Sequence, residues 1–165
     1  MKAALVWILV AGAFNAGAYA RDEEQRGPKQ PIEFNHKLHV SRLKQPCGMC
    51  HAPSEGGEMV DMPEVSKCLQ CHASIAPKSP AEQKLAAFAK QNRDVDWARV
   101  YQIPTFVRFD HRQHAQAGVK CESCHGPVAE RVTLWREHDL SMGSCISCHR
   151  ESHASLDCGS CHEPR

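Results

Sequence analysis

Ten cysteines in this chain share one pattern. Each belongs to a C-x-x-C pair, and a histidine directly follows every pair. The cysteines are Cys47, Cys50, Cys68, Cys71, Cys121, Cys124, Cys145, Cys148, Cys158 and Cys161, and the histidines are His51, His72, His125, His149 and His162. C-x-x-C-H is the attachment signature of c-type haem, in which the two thiols bond the haem edge and the imidazole binds the iron. The sequence therefore predicts five covalently bound c-type haems.

Two other uses of paired cysteines fit this pattern less well. An exported chain with ten cysteines could form five disulfides, and zinc ribbons also contain paired C-x-x-C motifs. Neither use requires a histidine directly after every pair. Histidine accounts for 11 of the 165 residues, so its recurrence in all five places favours haem over both alternatives.

A second repeated motif supplies further histidines. F-N-H-K-L-H begins at Phe34 and F-D-H-R-Q-H at Phe109, each shortly before a C-x-x-C-H site. Residues three apart share one side of a helical turn, and the two imidazoles cannot both complete an iron that already has a proximal ligand. We expect each motif to provide distal ligands to two different haems, with its phenylalanine packed on a ring face. The four histidines are His36, His39, His111 and His114; His138 and His153 also remain.

The N-terminal stretch predicts export. Lys2 precedes an apolar run, and Ala18-Tyr19-Ala20 is typical of a signal-peptide cleavage site. The run is shorter than the roughly 20 apolar residues of a membrane span, and no other stretch could cross a bilayer. After cleavage the chain would be periplasmic, without a span of its own, and any membrane association would come through a partner. Its 19 basic and 19 acidic residues give no reason to expect nucleic acid.

The composition predicts a fold that depends on its haems. Aromatic residues make up 6% of the chain and the mean hydropathy is -0.48, so a conventional core would be small, and small domains usually need additional cross-links or cofactors. We expect mostly short α-helices and loops with little β, organised around a covalent haem core.

The motifs divide the chain into five segments. These are a signal peptide at 1–20, a polar lead at 21–31, a dihaem unit at 32–76, a connector at 77–104 and a trihaem unit at 105–165. The connector contains Ser79-Pro80, typical of a helix start, followed by Leu85, Phe88 and Ala89 at helical spacing.

F-x-H-x-x-H followed by C-x-x-C-H resembles the class III multihaem cytochromes c, and residues 109–162 look like a small trihaem periplasmic member. The resemblance implies distal–proximal ligand pairs, and the same logic extends them to the first unit. The implied pairs are His111 with His125, His114 with His149, His138 with His162, His36 with His51, and His39 with His72.

The stretches "VKCESCHGPV" and "HDLSMGSCISCHR" also resemble haem-bearing subunits of quinone-oxidising membrane complexes, the alternative complex III group. That resemblance implies a membrane quinone oxidoreductase complex as partner. Met142, three residues before Cys145, is another candidate distal ligand, and Met59 and Met62 raise the same question near Cys68. The last haem can therefore draw on His138, His153 or Met142.

Histidine on both faces of an iron fills the positions that catalysis would need. The ligand supply thus predicts an electron-transfer protein acting between redox protein partners, with no catalytic residue of its own. Bis-histidine ligation is expected to give lower potentials than histidine–methionine ligation. The alternatives are a multihaem reductase of nitrite or a sulfur compound, and an extracellular conductive cytochrome, although no altered motif such as C-x-x-C-K marks a catalytic haem.

Overall fold

The computed structural model describes residues 27–52, 57 and 60–162. The predicted signal peptide and Met59 lie outside this part of the chain. A π-helical segment at Lys37–Arg42 precedes seven α-helices in the described residues: α1 Cys47–Cys50, α2 Val65–His72, α3 Pro80–Lys90, α4 His111–Gln116, α5 Glu122–His125, α6 Met142–Glu151 and α7 Cys158–Cys161; a 3₁₀ turn covers Val128–Glu130. An isolated antiparallel bridge joins Val107 to His162. The predicted class, short helices and loops with little β, is confirmed.

The F-x-H-x-x-H motifs begin with a capping residue between the phenylalanine and the first histidine. In the first motif the Asn35 side-chain oxygen accepts from the backbone N–H of Leu38 at 2.9 Å. In the second, Asp110 accepts from the N–H groups of Arg112 at 2.7 Å and Gln113 at 3.3 Å. Asn and Asp are favoured at this position because their oxygens satisfy N–H groups that have no partner within the helix.

The C-x-x-C pairs lie on single helical turns. The N–H of His51 donates to the carbonyl of Cys47 at 2.9 Å, and the N–H of His162 donates to Cys158 at 2.9 Å. These bonds fix the histidine at the end of the turn that carries the two thiols. Helices of four residues, such as α1 and α7, are too short to be stable alone in water, so contacts outside the helix must hold them.

The buried apolar core is small and lies at one place. The buried hydrophobic side chains among the described residues are Ile32, Val65, Leu85 and Val95. Val65 belongs to α2 and Leu85 to α3, and Phe88 and Trp97 pack against the same cluster. The connector helix predicted from Ser79-Pro80 is confirmed, with a reciprocal capping box between Ser79 and Glu82. It packs on the helix that carries the second C-x-x-C-H motif.

Three long-range hydrogen bonds join the two F-x-H-x-x-H motifs to distant parts of the chain. The N–H of Lys37, in the first motif, donates to the carbonyl of Arg131 at 2.9 Å, and the Ser41 hydroxyl donates to the Ala129 carbonyl. The N–H of His111, in the second motif, donates to the carbonyl of Gly57 at 2.8 Å. Each motif is therefore held by the segment that follows the first C-x-x-C-H site after the other motif. In the described residues, no helix is long and apolar enough to span a membrane.

Gly57 has a conformation and a neighbour that exclude a side chain. Its φ is +78°, and a Cβ placed there would lie 2.5 Å from the Asp110 side-chain oxygen. We expect Gly57→Ala to lower the free energy of unfolding of the haem-loaded protein by about 2–3 kcal/mol, because left-handed strain adds to displacement of the α4 cap. Urea unfolding followed by circular dichroism measures this.

Gly118→Ala is the matched control, since Gly118 has a φ of +80° but open space around it. It should cost only the left-handed strain, about 1 kcal/mol. Equal losses in the two variants would contradict a specific role for the Gly57–Asp110 contact.

Candidate functional site

Histidines of the two F-x-H-x-x-H motifs face histidines of the C-x-x-C-H motifs in four pairs. Every pair joins one histidine of each kind, and the ring centroids lie 6.0 to 6.4 Å apart. The pairs are His36 with His51 (6.4 Å, 10° between planes), His39 with His72 (6.2 Å, 41°), His111 with His125 (6.4 Å, 15°) and His114 with His149 (6.0 Å, 48°). The structure thus brings together four of the five pairs that the family resemblance implies.

The separation within each pair suits a metal between two imidazoles. An imidazole nitrogen bonds a first-row metal at about 2.0–2.1 Å, and the ring centroid lies about 1.1 Å behind it, so two opposed ligands have centroids about 6.3 Å apart. The observed 6.0–6.4 Å matches this value and is too long for direct ring stacking. With two thiols on the turn before each proximal histidine, the donor set fits a covalently attached haem.

Backbone carbonyls fix the second ring nitrogen of several of these histidines. An Nδ1–H that donates to a carbonyl sets the tautomer and leaves the Nε2 lone pair for a metal. In both motifs the second histidine bonds the carbonyl four residues before it, which also aligns its ring with the helical turn. The contacts are His39 Nδ1 to Asn35 O at 2.9 Å, His114 Nδ1 to Asp110 O at 2.8 Å, His51 Nδ1 to Asp61 O at 3.3 Å and His149 Nδ1 to Ser155 O at 2.7 Å.

His36 differs from these histidines. Its Nδ1 is buried and has no hydrogen-bond partner in the part of the chain that the structure describes. Burial, followed by the neighbouring His51 and His39, lowers the pKa of His36 to about 4. Burial, then His111 and His51, also lowers the pKa of His125. Both imidazoles are therefore held neutral near pH 7, which is the form that binds metals.

Each motif's phenylalanine orients its two histidines. Phe34 stacks on His39 with centroids 4.4 Å apart and meets the edge of His36 at 4.7 Å. Phe109 makes the same contacts, stacking on His114 at 4.5 Å and meeting His111 at 4.6 Å. The sequence led us to expect packing on a ring face, and the ring is the imidazole of the motif's second histidine. A rigid aromatic side chain thereby limits the rotation of both candidate ligands.

Three residues that support His125 and the first motif were not anticipated from the sequence. The Tyr101 hydroxyl donates to the carbonyl of His125 at 3.3 Å, and its ring meets the His125 imidazole edge-on at 4.7 Å. The N–H of Glu137 donates to the same hydroxyl at 3.1 Å. Glu137 in turn accepts two bonds from Arg131, at 2.7 and 2.9 Å. No spacing rule connects Tyr101 to Glu137, because the contact joins residues 36 positions apart.

The fifth site is arranged differently. The His162 ring lies nearly parallel to that of Phe106, at 25° with centroids 6.1 Å apart, and within the described residues it makes no ring contact with His138. His138 is exposed, as is His153, which has a φ of +55°. Met142 is 63% exposed at the start of α6. Among the described residues no ring contact pairs His138 or His153 with His162, so the assignment of His138 stays a prediction.

The cysteines form neither disulfides nor a zinc-type metal site in the described residues. All ten lie in the described part of the chain and all are free. Within the described residues no group of three or more histidine, cysteine, aspartate or glutamate side chains could hold one metal ion. Burial, followed by neighbouring thiols, raises the pKa of Cys124. The neighbours of Cys124 include Cys145 and Cys148 of the next pair, so thiols of different pairs lie close together without forming a disulfide.

Comparison with known proteins gives matches to both parts of the chain. The model for the class III cytochrome C family matches residues 15–96, and the model for cytochrome c7 and related cytochrome c matches residues 107–163. One curated relative is the menaquinone reductase, multiheme cytochrome c subunit, of Nitratidesulfovibrio vulgaris strain Hildenborough. It is 30% identical over 189 aligned residues, which cover 96% of this chain and 87% of the relative.

The Arg131–Glu137 pair predicts a pH dependence of stability. The hydrogen bond from Arg131 is the main cause that holds the pKa of Glu137 below its usual value of 4.5. A lowered carboxyl pKa contributes stability above the usual pKa, and this contribution disappears as pH falls through the lowered value. We expect Glu137→Gln to lower the free energy of unfolding by about 1 kcal/mol at pH 7 and by progressively less below pH 4.5. Urea unfolding across pH 3–7 measures it.

Glu33→Gln serves as control, because Glu33 is exposed and should change stability little at any pH. A Glu137→Gln loss that stayed constant down to pH 3 would contradict the role of the ionised carboxylate.

Proposed function

Because this chain belongs to the class III multihaem cytochrome c family and is therefore an electron-transfer protein, we propose that it carries five covalent haems with mostly bis-histidine ligation. The observation that carries the proposal is the set of four imidazole pairs 6.0–6.4 Å apart. Haem iron supplies reversible exchange of one electron between its ferric and ferrous states. The residues of each site would hold the iron and tune its redox potential.

Eight of the ten proposed iron ligands come from the four imidazole pairs, whereas His162 comes from its motif and His138 from the family resemblance. The ten cysteines attach the haems; the proximal ligands are His51, His72, His125, His149 and His162; the distal ligands are His36, His39, His111, His114 and, for the last haem, His138. A histidine on each side of the iron leaves no position for a substrate, so the chain carries electrons and makes or breaks no substrate bond. Hydrogen bonds from Nδ1 to backbone carbonyls increase ligand basicity and lower the potential of the bound iron.

The location and partner rest on the relatives and on the N-terminal sequence. We propose that residues 1–20 direct export and that the mature chain acts in the periplasm as a subunit or partner of a membrane quinone oxidoreductase. The name of the curated relative, a menaquinone reductase subunit, supports this assignment. The sequence resembles subunits of quinone-oxidising complexes, whereas the name of that relative specifies quinone reduction. The direction of electron flow therefore depends on the relative redox potentials of the partners.

The division into a dihaem unit at 32–76 and a trihaem unit at 105–165 is part of the proposal. It is supported by the repeated ligand geometry of the two motifs and by the fact that one family model ends at residue 96 and the other begins at residue 107. The connector at 77–104 contributes α3, which packs Leu85 beside Val65 of the dihaem unit.

The intact mass of the purified protein tests the haem count. We expect the polypeptide that begins at Arg21 plus five covalently attached haems, because every C-x-x-C-H site has the same local structure. Electrospray mass spectrometry under denaturing conditions gives the number. A count of four or fewer would contradict the proposal.

Replacement of His39 tests the assignment of distal ligands. In His39→Ala, the haem at Cys68 and Cys71 should lose its distal ligand and give a high-spin signal in low-temperature electron paramagnetic resonance. The same substitution in a background lacking that haem, made by Cys68→Ala and Cys71→Ala, should give no high-spin signal. His36→Ala in the same background should give one, because His36 faces His51. The reverse pattern would contradict the pairing.

A further inference from the structure

The contacts between the two units are reciprocal. Lys37 directly follows the first motif's leading histidine, and it bonds Arg131, six residues after His125. The leading histidine of the second motif, His111, bonds Gly57, which lies six residues after His51. A contact in which each partner uses corresponding segments of the other is the property of a two-fold interface. The two units of this chain therefore contact each other reciprocally.

The imidazole geometry repeats in the same way. The pairs formed by the leading histidine of each motif are nearly parallel, with planes at 10° and 15°. The pairs formed by the second histidine are tilted, at 41° and 48°. The agreement extends to the Nδ1 bonds of His39 and His114 and to the phenylalanine contacts. The second unit thus reproduces the first in three dimensions and adds one further site.

The first attachment sites of the two units lie next to each other. Arg131, which follows His125, accepts the N–H of Lys37, and Lys37 adjoins His36, the ring partner of His51. Gly57, which follows His51, accepts the N–H of His111, the ring partner of His125. The Lys37–Arg131 and His111–Gly57 hydrogen bonds hold the two segments together at this place.

The other sites extend outward on both sides. In the first unit His36 and His39 share one turn and face His51 and His72, which brings the site of His72 beside that of His51. In the second unit His111 and His114 share one turn and face His125 and His149, which brings the site of His149 beside that of His125. The His149 Nδ1 bonds the Ser155 carbonyl at 2.7 Å, and the Ser155 hydroxyl bonds that of Ser160, between Cys158 and Cys161, at 3.0 Å, so the site of His162 follows that of His149.

We propose that the five haem-attachment sites form a single row in the order His72, His51, His125, His149, His162. This inference rests on the proposed function for the presence of haem, but it concerns only the arrangement of the attachment residues. The row differs from the sequence order, because the reciprocal packing places the first site of each unit at the centre and reverses the first unit. The ends are the sites of His72 and His162.

The arrangement determines where a redox partner must approach. The site of His72 lies on α2, which the connector helix covers through Val65 and Leu85 on its buried side. At the other end Phe106, 66% exposed, lies against His162. A redox protein that exchanges electrons with the whole row must therefore dock beside His72 or His162, and the sites of His51 and His125 are internal.

Crystallography of the unaltered haem-loaded protein tests the order directly. Anomalous scattering at the iron edge locates each iron, and the attached cysteines identify its site. We expect the iron of His51 to have the irons of His72 and His125 as its two nearest neighbours, and the irons of His72 and His162 to have one near neighbour each. The row would be overturned if the iron of His72 lay closer to the iron of His125 than the iron of His51 does. A branched arrangement of the irons would also overturn it. Missing irons or non-histidine ligands would instead contradict the proposed function. The order of the sites could still be read from the irons that are present.

A second measurement uses removal of single haems. Cys121→Ala with Cys124→Ala removes an internal site and should shift the midpoint potentials of two remaining haems, those of His51 and His149. Cys68→Ala with Cys71→Ala removes an end site and should shift one, that of His51. Redox titration followed by NMR of the haem methyl signals counts the shifted haems. If removal of the His72 site shifted the potential of the His125 haem as strongly as that of the His51 haem, the order would be wrong.

Discussion

The distance between two opposed imidazoles is the constraint that the rest of this structure serves. A C-x-x-C-H turn fixes one histidine beside two thiols, and an F-x-H-x-x-H turn must then present another with its centroid about 6 Å away. The elements that satisfy this constraint are short, and several are a single turn, which has no intrinsic stability in water. Their conformation therefore depends on the long-range contacts that hold the ligand turns in position, such as the hydrogen bonds from Lys37 to Arg131 and from His111 to Gly57.

The distribution of apolar residues is consistent with this dependence. The buried side chains of the described residues cluster around α2 and α3, and elsewhere large apolar side chains such as Leu43 and Phe106 remain more than half exposed. Burial of apolar surface is the main favourable term in folding, and a family whose members attach haem covalently obtains that surface from the cofactor. The hydrogen bonds, the helix caps and the Arg131–Glu137 pair then mainly determine how the ligand-bearing turns are oriented, rather than enlarging the apolar core.

Local patterns predicted the two kinds of histidine-bearing turn, and the family resemblance implied which histidines face each other. The C-x-x-C-H and F-x-H-x-x-H motifs contain their own spacing, and the Ser79-Pro80 start of α3 follows from capping chemistry within four residues. The contacts of Tyr101 with His125 and Glu137 could not be predicted in this way, because they join segments 24 and 36 residues apart and no periodicity connects them. The reciprocal packing of the two units was missed for the same reason. For the fifth site the sequence offered three candidates, and in the described residues no ring contact places His138 or His153 opposite His162.

The repeated F-x-H-x-x-H motif takes part in two kinds of imidazole pair, and the two kinds occupy different positions in the proposed row. The leading histidines, His36 and His111, form the nearly parallel pairs at its centre, while the second histidines form tilted pairs on either side. The Nδ1 of His36 is buried without a partner in the described residues, whereas that of His39 bonds a carbonyl, so His36 is the weaker electron donor to a metal. A weaker donor raises the potential of a bound iron. Sites with the same ligand type can thus differ in potential through orientation and hydrogen bonding alone, without a change of ligand.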